Sequence, residues 1–233
     1  MKGKFPSFRL TPLFVACVVS ISVILFYIFG ILSVWEMKGL DYLYHLRGER
    51  ETDSKIFVIA IDDRSLEFLG KWPWPRELHA RIIKYCRYLG VSRIGYDVLF
   101  TEPDKRNPEM DTSLVQETKN AGNVHHSLFY IQGADTGAEI SKLEEILLRK
   151  IALKARVEGE EDFYTAESFV LPLPQLALEG KGVGFAQSVP DLDGVRRRLQ
   201  LFIKYRKQLY SPFAFKMILG HWGIEDEDVS VYP

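Results

Sequence analysis

The chain has 233 residues and a formal net charge of −1, long enough for one large domain or two small ones and too evenly balanced for a nucleic-acid binder, whose footprint is a basic excess. Its two cysteines cannot staple a folded domain, because Cys17 lies inside an apolar run and leaves Cys86 alone. The fold must therefore rest on its core rather than on a disulfide.

The chain opens with a short basic tail, residues 1–9, carrying Lys2, Lys4 and Arg9. From Leu10 to Trp35 no residue is charged. As one helix this run would span about 39 Å at ~1.5 Å per residue, more than the ~30 Å hydrocarbon core of a bilayer requires. A cleaved signal peptide would have a shorter apolar stretch and a small-x-small site, whereas this run closes on Ser33-Val34-Trp35-Glu36-Met37. The expectation is an uncleaved transmembrane helix over 10–35 in the plasma (inner) membrane. The cationic tail stays in the cytoplasm by the positive-inside rule, and residues 36–233 lie outside. Removing Lys2, Lys4 and Arg9 takes the net charge from −1 to −4, so the outer portion offers nucleic acid no basic surface.

Residues Glu36 to Arg50 keep Leu40, Leu43, Tyr44 and Leu46 at rough helical spacing, which predicts a stalk helix. "KIFVIAI", Lys55 to Ile61, reads as a strand buried on both faces. Ser65 to Leu69 suits one helical turn, stopped by Gly70. Pro75 opens a helix whose stripe of Leu78, Ile82, Ile83, Tyr85, Cys86 and Leu89 ends at Gly90. "SRIGYDVLF" from Ser92 is a second strand, and strand–helix–strand predicts parallel pairing with a right-handed crossover. A helix over Met110 to Ala121 and a strand "VHHSLFYI" follow, then a charged helix over Ala138 to Arg156 and an acidic loop from Glu158 to Asp162. Two strands, Gly182 to Ser188 and Arg196 to Tyr205, are joined by the turn "VPDLDGV", and Pro212 opens a last helix over Phe213 to His221. The fold class is α/β: a single domain with a mixed, largely parallel sheet flanked by helices, behind one transmembrane helix.

Asp62 and Asp63 would end the first strand and Asp97 the second, on the edge where open parallel sheets bind ligands. Carboxylates there could hold a cation or a polar ligand. Alternatively, Asp63 caps the next helical turn. In Trp72-Pro73-Trp74-Pro75 the prolines stiffen the chain, so the indoles form a lid, a ligand platform or a packed corner. Arg76, at a helix start, opposes the dipole and needs an acidic partner, for which Asp62 and Asp97 are the candidates. His125 and His126 are strand neighbours that point to opposite faces and cannot share one metal ion. Arg196 and Arg198 would share a strand face, more in keeping with a solvated edge than with an anion site. No metalloprotease, Cys-x-x-Cys, phosphate-loop or nucleophile-elbow pattern occurs, so no catalytic residue, metal or cofactor is expected.

The blocks "VIAIDDRSLEFLGKWPWPRELHARII", "LGVSRIGYDVLFTEPD", "NAGNV", "GVGFAQSVPDLDGVRRRLQLFI" and "YSPFAFKMI", with "LYHLRGER" ahead of them, resemble the CHASE2 family in order and spacing over Gly39 to Gly220. That family comprises extracytoplasmic sensory domains of bacterial transmembrane receptors. The resemblance implies sensing rather than catalysis. It extends to Asp62, Asp63, Trp72, Trp74, Arg76 and Asp97 as ligand-binding candidates, without naming the ligand. It further implies a cytoplasmic output, such as a nucleotide cyclase, a diguanylate cyclase, a histidine kinase or a serine/threonine kinase. After Trp222 the sequence shows no second apolar span, so that output is expected in a longer chain or on a partner. A homodimer suits signalling through one helix per chain. The rival readings are an anchored metal-dependent hydrolase built on Asp62, Asp63 and Asp97, and a structural or dimerisation module with filled tryptophan pockets.

Overall fold

Residues 12–51, 53, 55–105, 107–133, 137, 139–158 and 163–232 are described by a computed structural model. The chain divides into two units: Met1–Ala60 with Asp191–Val195, and Ile61–Pro190 with Arg196–Pro233.

In the first unit the uncharged run folds as helix α1 (Pro12–Ile28), followed by α2 (Ile31–Arg47). The expected single helix over 10–35 is therefore not supported: the described part of the run is divided between two helices. Gly30 adopts a left-handed φ of 67°, which a residue without Cβ reaches at no steric cost, and the helix stops there. α1 alone covers about 25 Å at ~1.5 Å per residue. Among the described residues no single helix is long and apolar enough to cross a membrane; α1 and Leu32–Arg47 pass together only as a pair bent by 77°. The basic tail and Leu10 lie outside the described residues. The predicted stalk helix is present within α2, which ends at Gly48.

The expected strand over Lys55 to Ile61 is not formed. The segment has no regular secondary structure and Val58 is 87 % exposed. A β-branched run becomes a strand only where a neighbour bonds its backbone, and no strand among the described residues pairs with it. The Asp191–Val195 turn does form, closed by Asp191 N–H donating to Val195 O at 2.9 Å.

The second unit contains α3 (Asp63–Leu69), α4 (Arg76–Tyr88), β1 (Ile94–Tyr96), α5 (Pro108–Ala121), β2 (Val124–Gln132), α6 (Lys142–Ile151), β3 (Arg156–Val157), β4 (Tyr164–Val170), α7 (Pro174–Glu179), β5 (Gly182–Phe185), β6 (Ile203–Tyr205), β7 (Gln208–Tyr210), α8 (Phe213–Trp222) and β8 (Ser230–Val231). The long strand β2 organises them. Its first half is bonded in parallel by β1 (Ile94↔Val124) and by β5 (His125↔Gly182), and its second half runs antiparallel to β4 (Tyr130↔Phe169). β6 continues in parallel from β4, and a two-residue turn, Arg206-Lys207, folds β7 back on it. Both turn residues have positive φ, 47° and 64°, the geometry whose twist matches a hairpin. β3 and β8 form a separate parallel pair. The expected mixed α/β sheet flanked by helices is thus present.

Helix limits follow local chemistry. α6 begins at Lys142 rather than Ala138 because Ser141 and Glu144 cap each other's backbone, with Glu144 N donating to Ser141 Oγ at 3.1 Å. Ala138 itself, and most of the acidic loop, lie outside the described residues. The expected strand over Arg196 to Tyr205 survives only as β6, so the two-face argument for Arg196 and Arg198 does not apply.

Alternation along β2 sends successive side chains to opposite layers. Val124 packs with Ile94, Ile83 and Leu114 in an apolar cluster under α4 and α5. The opposite layer meets α8 across a row of small residues: Gly95 and Gly182 flank His125, and Gly184 lies beside Ser127. A Cβ at Gly95 would meet Phe213 Cε2 at 2.6 Å and Met217 Sδ at 2.8 Å. These strands approach α8 closely only because they carry hydrogen there.

Candidate functional site

The Trp-Pro-Trp-Pro segment leads into α4, whose second turn carries His79. Trp72–Pro73 is a cis peptide. Trp74 is 5 % exposed, and its indole N–H donates to Gly70 O at 2.8 Å. Trp72, 43 % exposed, meets Trp74 edge-on at 5.6 Å and His79 at 5.5 Å. Behind them, His79 Nδ1 lies 2.6 Å from the Tyr96 hydroxyl, and the His79 ring contacts Phe100 at 5.0 Å. Tyr96 in turn meets His126, whose Nε2 is 3.2 Å from Thr118 Oγ1. The result is a filled aromatic and histidine corner joining the Trp-Pro segment, α4, β1, α5 and β2.

Arg76 closes this corner. Its guanidinium lies 4.1 Å from the Phe100 ring centroid, Nε donates to Asp111 Oδ1 at 3.1 Å, and Nη2 donates to Glu102 O at 3.2 Å. Asp111 also accepts the Asp104 N–H at 2.6 Å. The partner of Arg76 is therefore Asp111, not Asp62 or Asp97. It stands in the first turn of α5, where the helix dipole favours a carboxylate. Both side chains are largely covered, so Asp111→Ala leaves a partly desolvated arginine. It should cost about 2 kcal/mol, read as a lower urea midpoint of the full chain.

Asp62 is the N-cap of α3, correcting the expectation that Asp63 would take that role. Ser65 N donates to Asp62 Oδ1 at 2.8 Å, Asp62 N donates to Ser65 Oγ at 3.1 Å, and the Ser65 hydroxyl also donates to the carboxylate. These bonds to Ser65 hold the Asp62 carboxyl below its ordinary value. Asp63 is the first residue of α3 and exposed. Asp97 follows β1, also exposed. Asp62→Ala should speed amide exchange over Ser65–Leu69 and leave the global unfolding midpoint unchanged, because α3 has no buried residue.

The structure thus brings Trp72, Trp74 and Arg76 together, whereas Asp62 caps α3 and Asp63 and Asp97 are exposed. Among the described residues no group of three or more His, Cys, Asp or Glu side chains is placed to hold a metal ion. His125 and His126 do face opposite layers. His125 lies against Gly182 on the α8 side. Burial lowers the pKa of His79, His125 and His126 to about 4 each, helped by Arg76 at His79, by Arg93, Lys216 and Lys181 at His125, and by His125 at His126. Sequence reasoning missed His79, Tyr96 and Asp111. Only His79 left a signal, as a polar residue one turn after Arg76 on the face of α4 that carries Ile83 and Cys86.

Elsewhere in this unit a cavity of about 220 Å³ opens between α6, β4 and Tyr205. Its walls include Leu148, Phe169 and Tyr205, together with three carboxylates, Glu139, Glu144 and Glu167. No candidate ligand residue expected from the sequence lines it.

The chain matches the CHASE2 domain family over residues 16–228. No match is found among curated proteins or among solved structures.

Proposed function

The chain belongs to the CHASE2 family of sensory domains, and from that premise we propose that its folded unit is the extracytoplasmic sensor of a membrane receptor. It binds a small ligand and passes the change to a cytoplasmic output, a cyclase, diguanylate cyclase or kinase, carried in a longer chain or on a partner. The observation that carries this reading is the family match, which begins inside α1 and runs through the α/β unit as far as residue 228, short only of β8. Sensory rather than catalytic action also accords with a Trp-Pro corner in which the Trp74 indole N–H and the Arg76 guanidinium are engaged in structural hydrogen bonds.

Membrane attachment rests on α1. It carries no charged side chain, and Leu13, Phe14, Val19, Ile21 and Ile24 are exposed, a surface suited to lipid rather than water. Two copies joined through these helices would give the receptor a partner helix to move against. Binding shifts such an equilibrium only if the ligand favours one arrangement, since equal affinity for both shifts nothing.

Fusions after Pro233 test the topology. A phosphatase that folds only outside the cytoplasm should be active, and a fluorescent protein that matures only inside should stay dark. The reverse pattern would overturn the extracytoplasmic placement. A ligand screen by thermal shift of the full chain, with Trp72→Ala as control, separates the surface of the Trp-Pro corner from other sites. Hits that survive Trp72→Ala place the ligand elsewhere.

A further inference from the structure

The geometry points to the cavity between α6 and β4 as the ligand site, and to a small organic cation, an amine on an apolar body, as its ligand; this rests on the sensory reading above. The apolar part of the wall comes first. Ile140, Leu148, Phe169 and Leu171 line the cavity, and Phe169 is held edge-on by Tyr205 at 5.0 Å and by Tyr210 at 4.6 Å. Tyr205 is 4 % exposed, and its hydroxyl accepts from Arg206 Nε at 3.1 Å. The phenol ring is thereby fixed in the wall. A volume of about 220 Å³ falls below the ~300–1,000 Å³ common for drug-sized ligands, so the occupant is small.

Charge then selects its sign. Glu139 precedes α6, Glu144 stands in its first turn, and Glu167 projects from β4. Among the described residues none of the three is in a salt bridge. Glu144 Oε2 accepts the Ser141 N–H at 2.8 Å, leaving its other oxygen. A Cβ at Gly133 would crowd Glu167 Oε2 at 3.0 Å, so glycine there leaves the carboxylate its room. The three carboxylates outnumber the Arg206 guanidinium, which lies 5.4 Å from the Tyr205 ring centroid, and the balance favours a cation over an anion. The three carboxylates are not gathered into a group that could ligate one metal ion together, so an organic cation is the proposed occupant. An ammonium reaches separated carboxylates through its N–H bonds and is attracted to the aromatic faces while its carbon body covers the apolar wall.

Calorimetric titration of the full chain in lipid nanodiscs with ethylamine, n-butylamine and 2-phenylethylamine, each against the alcohol of the same skeleton, tests the assignment. Saturable binding is expected for at least one amine, at least tenfold tighter than its alcohol. Glu167→Gln and Glu139→Gln should each weaken it severalfold with an unchanged unfolding midpoint. Equal binding of amine and alcohol, binding indifferent to both substitutions, or no binding by any of the amines at millimolar concentration would overturn it. The fusion experiment involves neither glutamate, so correct topology with no amine binding would remove this site and leave the sensory reading standing.

Discussion

Acidification from pH 7 to pH 5 is expected to destabilise the α/β unit severely, and the cause is its three buried histidines. His79, His125 and His126 are 1 %, 3 % and 1 % exposed, and each has its pKa lowered to about 4 from an ordinary 6.5. The unfolded chain therefore takes up protons near pH 6.5 that the folded chain refuses until about pH 4. Stability is full above the unfolded value and is lost as the pH falls through this window, at up to about 1.4 kcal/mol per pH unit for each histidine. By pH 5 the loss approaches ~2 kcal/mol per histidine, a large share of the ~5–15 kcal/mol that holds a typical domain together. Urea midpoints of the full chain at half-unit pH steps would measure it. His79→Gln should reduce the slope between pH 6.5 and 5 by about 1.4 kcal/mol per unit, whatever it does to stability at pH 7. A flat profile would show that these rings are not buried neutral.

Gly184→Ala is expected to be the most damaging single methyl added to the sheet. The new Cβ would meet Ser211 O at 2.6 Å and Phe213 Cα at 2.7 Å, with Phe213 N closer still. All three are backbone atoms, and they belong to a joint where Phe185 N donates to Ser211 O and α8 begins. Backbone cannot rotate out of the way, so the cost should reach about 3 kcal/mol, the upper end for an overpacked core. Gly95→Ala is the informative comparison. Its Cβ would press on Phe213 and Met217 side chains, which can shift, and a loss nearer ~1 kcal/mol is expected. Chemical unfolding of the two variants beside the parent checks the order. If Gly95→Ala proves the worse, α8 does not sit on the glycine row as described.

The helices were legible where a stripe and its stop signals coincided. α4 follows Pro75 and buries Ile83 and Cys86, α8 follows Pro212, and α5 ends at Gly122. β2 was legible as a run of bulky residues, and the opposite placement of its two histidines follows from strand geometry alone. Most other readings failed because they depended on neighbours. Lys55 to Ile61 has the composition of a buried strand, yet composition supplies no partner for its N–H and C=O groups. Leu10 to Trp35 has the length of a membrane span, yet Gly30 turns left-handed and divides it. Arg76 visibly needed an anion at a helix start, and the anion proved to be Asp111, 35 positions away, rather than the acidic residues nearest the strand ends.

The candidate site divides the same way. Trp72, Trp74 and Arg76 do gather in one place, as the stiff Trp-Pro-Trp-Pro block suggested, but Tyr96, His79 and Phe100 fill the space behind them. The acidic cavity draws on Glu139 ahead of α6, Glu144 in its first turn, Glu167 on β4 and Tyr205 on β6, residues with no common motif.

By itself the sequence determined the family, the α/β class, an apolar N-terminal helix, the limits of α4 and α8 and the end of α5, because these depend on residues a few positions apart along one chain. Only the tertiary structure decided which carboxylate meets Arg76, which histidines lose their water and where a cavity remains, because those depend on groups distant in sequence that enter the same low-dielectric space only after the sheet has formed.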